Sequence, residues 1–444
     1  SYSNRLAENN PEILVERRVK IIQAIVQKFV NKMSVGFLLL LLTLVFFVWT
    51  AGVGFPATLF IYNNSSLLIA FSVAILLILN VYKAKGVDFL YLGVALALFI
   101  FFSYFRELRN ESLFGDLLFP LIILFCLVIK WIEWTKWDRG IYLIVFTVFL
   151  GITLYRVFTE IQVPEGQSIW APGNSLSDIW INTNTIGSSL MTLALLISGF
   201  ASSFERWYVR IIGGIAVVAA FLGIWVCQSR GALVALIVFA ILDLLPKSLM
   251  RVIRAPFIAY TVTILLALPI SYLAAVSEKV NLFTGREDIW HKFYQTLGEK
   301  SEQVLLGMKT FIFQRGNQFL GNHNSYNSIL NIYGLIGFGI AALLLILFIG
   351  RLTLKADLSN GQMTFIWAFF AVMMQSFMED TLTSYPWVPI IYILLAMAVH
   401  RYDEPEVTEE FYVMEEAYDD MTYDDTSYEE QPDSAHSSRI QRYH

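Results

Sequence analysis

The feature that most constrains this chain is a succession of long apolar blocks separated by short polar segments. They run approximately over 34–50, 66–82, 87–105, 117–134, 141–158, 185–203, 208–227, 231–246, 256–275, 333–350, 362–378 and 386–400. A bilayer core about 30 Å thick is crossed by roughly 20 apolar residues in a helix. Backbone polar groups find no water there, so a crossing segment has to satisfy them internally, as a helix does. The pattern predicts an all-α integral membrane protein with about 12 transmembrane helices and one large external loop containing short helices. Charged residues make up only 15% of the chain, where a soluble domain carries about a quarter.

The segments between the blocks alternate in character. One set is short and basic: Arg17, Arg18, Lys20, Lys28 and Lys32; Lys83 and Lys85; Lys130, Lys136 and Arg139; Arg206 and Arg210; Lys247, Arg251 and Arg254; Arg351 and Lys355. The other set, 51–65, 106–116, 159–184, 276–332 and 379–385, is longer and more polar. The positive-inside rule puts the basic set in the cytoplasm, both termini with it, and the polar set outside. The first block follows a charged stretch and reads as a retained first span rather than a cleaved leader.

Three regions follow. Residues 1–33 form a cytoplasmic lead-in, where Ile21, Ile22, Ile25, Val26 and Phe29 beside Arg17, Arg18, Lys28 and Lys32 fit an amphipathic helix on an anionic leaflet as well as a solvated segment. Residues 34–400 form the membrane domain. Residues 401–444 hold 14 acidic side chains against Arg401, Arg439 and Arg442, a composition too polar to fold alone. Cys126 and Cys227 lie in or beside apolar blocks and suggest neither a disulfide framework nor a thiolate metal site.

The chemistry-bearing residues gather in the polar set. Within 276–332, Ile289, Trp290, Phe293, Tyr294 and Leu297 form one helical stripe, with Arg286 near its start. The segment closes with Gly321-Asn322-His323-Asn324-Ser325-Tyr326, where Asn322, Asn324 or Ser325 suits the N-cap of the next helix. Of the five histidines, only His291 and His323 fall in the external set. An imidazole at the mouth of a cavity is a natural general base, although a loop histidine that merely bonds its neighbours fits as well. Arg230 stands at a junction of two blocks, with Arg286, Arg315 and Lys309 as possible companions. Convergent guanidiniums would hold a phosphate or pyrophosphate bidentately, while a lone one snorkels to the headgroups. The pairs Glu287-Asp288 and Glu379-Asp380 read as solvated or salt-bridged rather than as metal ligands. There is no phosphate-binding glycine loop and no Cys/His zinc spacing. No metal, cofactor or nucleic acid is expected.

Ser229-Arg230-Gly231-Ala232, Gly285-Arg286 with Trp290, and His323-Asn324 with Tyr326 ahead of Gly334-Leu335-Ile336-Gly337 together resemble the O-antigen ligase and polysaccharide polymerase superfamily. The resemblance covers the overall topology and is most specific over 228–337. It implies a metal-independent glycosyltransferase of the GT-C type in the bacterial cytoplasmic membrane. Its donor would be an undecaprenyl-pyrophosphate-linked glycan and its acceptor a lipid-linked or other glycan, with membrane lipids around it. His323 would deprotonate the acceptor hydroxyl, and Arg230 and Arg286 would hold the pyrophosphate. Arg315, Trp290, Asn324 and Tyr326 would line the substrate. Gly307-Met308-Lys309 stands where many relatives have a glycine-rich stretch, so that segment's role is not carried over.

The leading expectation is a polymerase of capsular, exopolysaccharide or O-antigen repeat units. A ligase moving a finished glycan to lipid A core or protein shares the same donor and site. A transporter is a third reading, but its ionisable or broken-helix sites would sit near the midplane in repeated halves, and no repeat is visible in this chain.

Overall fold

Every apolar block forms helix, and length divides the helices into two groups. The computed structural model describes residues 11–171, 183–277, 282–283, 285–355 and 357–403. Residues 1–10 of the lead-in, Thr284 and the acidic tail from 404 lie outside the described residues. In chain order the helices are α1 Pro11–Ala51, α2 Pro56–Asn63, α3 Ser65–Asn80, α4 Val87–Tyr104, α5 Arg106–Arg109, α6 Leu113–Trp131, α7 Lys136–Glu160, α8 Thr183–Ser202, α9 Trp207–Cys227, α10 Arg230–Leu244, α11 Lys247–Val252, α12 Ala255–Val276, α13 Arg286–Leu297, α14 Ser301–Leu306, α15 Ser325–Lys355, α16 Asn360–Gln375 and α17 Val388–Met397. One antiparallel hairpin, β1 Phe313–Arg315 with β2 Gln318–Leu320, lies between α14 and α15.

Among the described residues nine helices are long and apolar enough to cross a membrane: α1, α3, α4, α6, α7, α8, α9, α12 and α15. The chain is thus a multi-pass, all-α membrane protein. The remaining three blocks form α10, α16 and α17, of 15, 16 and 10 residues. Every residue of α17 is buried, and so is nearly all of α16. Protein surrounds α16 and α17, which is the condition under which short helices and irregular backbone are tolerated at membrane depth, while α10 keeps Val234, Ile241 and Leu244 exposed. α8 belongs to the same interior, with 94% of its apolar window buried. By contrast, α4 and α15 bury only 22% of theirs. Their outward faces expose Leu90, Leu96, Leu343 and Leu347, which hydrocarbon covers at no cost.

Local sequence fixes where helices start. Thr135 and Asp138 form a reciprocal capping box at α7, and Ser359 with Gln362 does the same at α16. The lead-in does not break before the first span, since α1 is a single helix of 41 residues.

Side-chain bonds gather the basic segments onto one face. Lys32 pairs with Asp138 at 2.7 Å, and the neighbouring Arg139 guanidinium bonds the Ser203 carbonyl. Glu205 accepts from the Gly361 amide at 2.7 Å. Arg251 donates to Asn360 at 2.7 Å and Arg254 to the Thr353 carbonyl at 2.6 Å. The ends of α6, α15 and α17 meet on this face, where His400 bonds the Ile129 carbonyl at 3.0 Å. The segment joining α12 to α15 belongs to the opposite face.

α15 is broken. At Gly334 the backbone takes φ 62° and ψ −168°, a region open essentially to glycine alone. The break leaves carbonyls without helical partners, and other elements supply donors. The Met308 amide bonds the Asn331 carbonyl at 2.7 Å. The buried Arg109 guanidinium bonds the Ile332 carbonyl and is itself paired with buried Asp116. Gly307 completes the fit: a Cβ there would meet the Ile332 oxygen at 2.5 Å. The Gly307-Met308-Lys309 segment is therefore a seat for the broken helix.

Candidate active site

The stripe over 289–297 forms α13, with Ile289, Trp290, Phe293 and Leu297 buried. They pack with Ala274, Ala275, Met308, Phe311 and Leu330 into a small core of their own. This core anchors the segment between α12 and α15 and holds Arg286, the first residue of α13, beside the start of α15.

Three ionisable residues meet there. The Arg286 Nη2 donates to Glu379 Oε1 at 2.8 Å, and the other carboxylate oxygen, Oε2, lies 3.8 Å from His323 Nδ1. The latter separation is a charge contact, longer than a hydrogen bond. Asp380 fixes the backbone beneath them. Its Oδ2 accepts from the His323 amide at 2.9 Å, and its Oδ1 from the Asn324 amide at 3.1 Å and the Ser328 hydroxyl at 2.6 Å. His323 itself has φ 47°, a left-handed conformation uncommon in a residue with a side chain. These bonds on either side hold it there.

The Glu379 carboxylate raises the His323 imidazole above its ordinary pKa; Asp380 adds to this, while burial and the Arg286 charge act against it. Its side chain keeps 26% of its surface open. With Nδ1 turned to Glu379, Nε2 has no partner among the described residues. An imidazole backed by one carboxylate and open at its other nitrogen is equipped to take a proton.

The other sequence-predicted residues divide. Asn324 is the N-cap of α15: its Oδ1 accepts from the Tyr326 and Asn327 amides at 2.9 and 3.1 Å. Its Nδ2 donates to Ser271 at 2.9 Å. Trp290 is fully buried and donates to the Asn322 carbonyl at 2.9 Å. Tyr326 is likewise buried, its hydroxyl bonded to the Met373 carbonyl at 2.7 Å. Both orient backbone and are shielded from solvent. Arg315 is on the hairpin, where it donates to the Gly285 carbonyl at 2.9 Å and stands 4.0 Å from Asp288; it braces the turn before α13. His291 bonds the Ala275 carbonyl at 3.0 Å, a satisfied loop histidine.

Arg230 is exposed at the first turn of α10 and has no hydrogen-bond or ion-pair partner among the described residues. A Cβ on its neighbour Gly231 would stand 3.4 Å from the Met378 side chain. That places the start of α10 against the residue preceding Glu379. The structure therefore joins Arg286 and His323 directly through one carboxylate, and sets Arg230 on the adjoining helix end.

Two further groups in the same cluster are buried with polar atoms unused, namely Asn322 Oδ1 and Asn327 Nδ2. Glu379 and Asp380 are the residues that sequence reasoning passed over as an ordinary acidic pair. Both are engaged by the loop 56 and more residues away in sequence, so local spacing holds no sign of it. The hairpin left a faint one: Gly316-Asn317 stands between apolar Phe313 and Phe319, a two-residue turn signal.

No protein-family model matches the chain, and neither a curated protein nor a solved structure matches it.

Proposed function

We propose that this chain is a membrane glycosyltransferase that joins lipid-linked oligosaccharide repeat units into a polysaccharide at the outer side of the bacterial cytoplasmic membrane. The observation that supports this best is the Arg286–Glu379–His323 array on the face opposite the basic loops. The positive-inside rule makes the basic face cytoplasmic, so the array faces outward, where lipid-linked units are assembled. The three helices α10, α16 and α17 would complete twelve crossings.

In this reading the acceptor hydroxyl approaches His323 Nε2. Its proton passes to the imidazole as its oxygen bonds the anomeric carbon. The bond from that carbon to the pyrophosphate oxygen breaks on the opposite side and its electron pair leaves with undecaprenyl pyrophosphate. In-line attack inverts the anomeric configuration. Arg230, free of partners among the described residues, and Arg286 take up the charge developing on the leaving group. Glu379 steadies the imidazolium that forms. No metal takes part in this scheme.

The test is polymer formation in cells whose only copy of the protein carries His323→Ala or Arg286→Ala. Loss of a positioned base costs about 10²–10⁴-fold in rate, and loss of a donor to developing charge about 10²–10³-fold. Long polymer should vanish from both strains while the protein stays in the membrane at its normal level. Full-length polymer in the His323→Ala strain would remove this residue from the chemistry.

A further inference from the structure

A cavity of about 390 Å³ lies between α4, α6, α15, α16 and α17, within the roughly 300–1,000 Å³ of ligand pockets. Its walls are almost wholly apolar, and its two ends differ. The end nearer the His323 cluster is closed by Tyr326 and Leu382. Its hydroxyls are already used: Tyr326 bonds the Met373 carbonyl and Tyr392 the Leu382 carbonyl. The other end, on the basic face, carries Lys130 and Arg351. Lys130 is engaged by Asp88, whose carboxylate also accepts from the Trp131 ring nitrogen and the Lys85 amide. Arg351 is exposed and has no hydrogen-bond or ion-pair partner among the described residues. With Asp88 neutralised in this way, the rim is left net positive.

We propose that this cavity holds an anionic glycerophospholipid of the leaflet opposite the His323 site, one acyl chain inside and the headgroup phosphate on Arg351. Charge sets the polarity, because the only unpaired ionic group in the lining stands at that end. Depth sets the occupant. The lining of α6 from Phe119 to Lys130 covers twelve residues, eleven steps or about 17 Å of helix rise, close to half of a hydrocarbon core about 30 Å thick. That is one leaflet's worth of chain. A polyprenyl pyrophosphate would need cations at the end beneath His323, and the lining provides none there. The inference does not depend on the glycosyl-transfer reading, and binding can be measured without it.

The full-length protein in detergent, stripped of lipid, is mixed with phosphatidylglycerol or with phosphatidylcholine of the same chains and examined by native mass spectrometry. Phosphatidylglycerol should be retained at least about tenfold better, an energy difference of about 1.4 kcal/mol. Arg351→Gln should bring its retention down to the phosphatidylcholine level, and Ala341→Trp, which fills the cavity, should remove both. Cys126 lines the cavity, which gives a second measurement that leaves the packing alone. Added phosphatidylglycerol should slow alkylation of Cys126 in the parent protein and not in Arg351→Gln. Equal retention of the two lipids, or retention indifferent to Arg351→Gln, overturns the proposal. So does displacement of the lipid by polyprenyl phosphate with Cys126 still protected, which would make the cavity a polyprenyl site.

Discussion

Glu379 lies against Arg286 and His323, two of the three residues that carry the proposed chemistry, and its carboxylate makes a prediction specific to pH. A general base works in its neutral form, so activity should climb with pH as the proton leaves His323. The carboxylate raises the imidazole pKa, which holds that proton on to higher pH and makes the neutral ring a stronger base. Glu379→Gln removes the negative charge and keeps the shape. The acidic limb of the pH–rate profile should then move to lower pH, and the plateau should fall by less than the 10²–10⁴-fold expected for losing the base itself. A carboxylate that only holds the loop would lower the plateau and leave the limb where it was. Polymerisation by membranes over a pH series separates the two. His323 and Arg286 were legible in the sequence as scarce residue types in a long polar segment. Glu379 was not, because its partners are 56 and 93 residues away and an adjacent acidic pair is common in any loop.

Among the elements, broken α15 decides whether the site exists. Its first part, Ser325 to Tyr333, carries the Asn324 cap and the Asn327 side chain that accepts from the Tyr294 hydroxyl at 2.7 Å. The break lets this part turn away from the long crossing part and face α13. Gly334 makes it, and a Cβ there would stand 2.3 Å from the Leu305 carbonyl group. Gly334→Ala combines a strained backbone, about 1–3 kcal/mol, with overpacking of about 1–3 kcal/mol. The variant should unfold several degrees earlier in detergent and lose activity. Gly339→Ala, where a Cβ meets nothing within 4 Å, should do neither. Equal melting of the two would mean that the break needs no glycine. The sequence showed the apolar blocks clearly because periodicity and length are local properties. It placed α10, α16 and α17 among the spans as blocks of 16, 17 and 15 residues, lengths close to the 17 residues of blocks that form full-length helices. The burial of α16 and α17 depends on what packs around them, which no window along the chain contains.

At the scale of the molecule, segregation is the organising property: basic loops joined on one face, the His323 cluster on the other. The loop charges alone predicted that division, because each helix reverses the direction of the chain and every second loop must return to the same side. The proposed orientation, with the basic face in the cytoplasm, rests on the energetics of insertion, since lysine and arginine near the ends of spans resist translocation. That orientation can be read with single cysteines, because Cys126 and Cys227 are the only two to replace. In a protein carrying both as alanine, Gln318→Cys puts a thiol on the exposed hairpin and Glu133→Cys one on the basic face, where the Glu133 side chain is 82% open. A small membrane-impermeant maleimide applied to spheroplasts should label Gln318→Cys at once and Glu133→Cys only after the membrane is opened. The reverse pattern would turn the Arg286–Glu379–His323 array toward the cytoplasm. There it would meet nucleotide sugars instead of translocated lipid-linked units, and the proposed polymerase would lose its substrate.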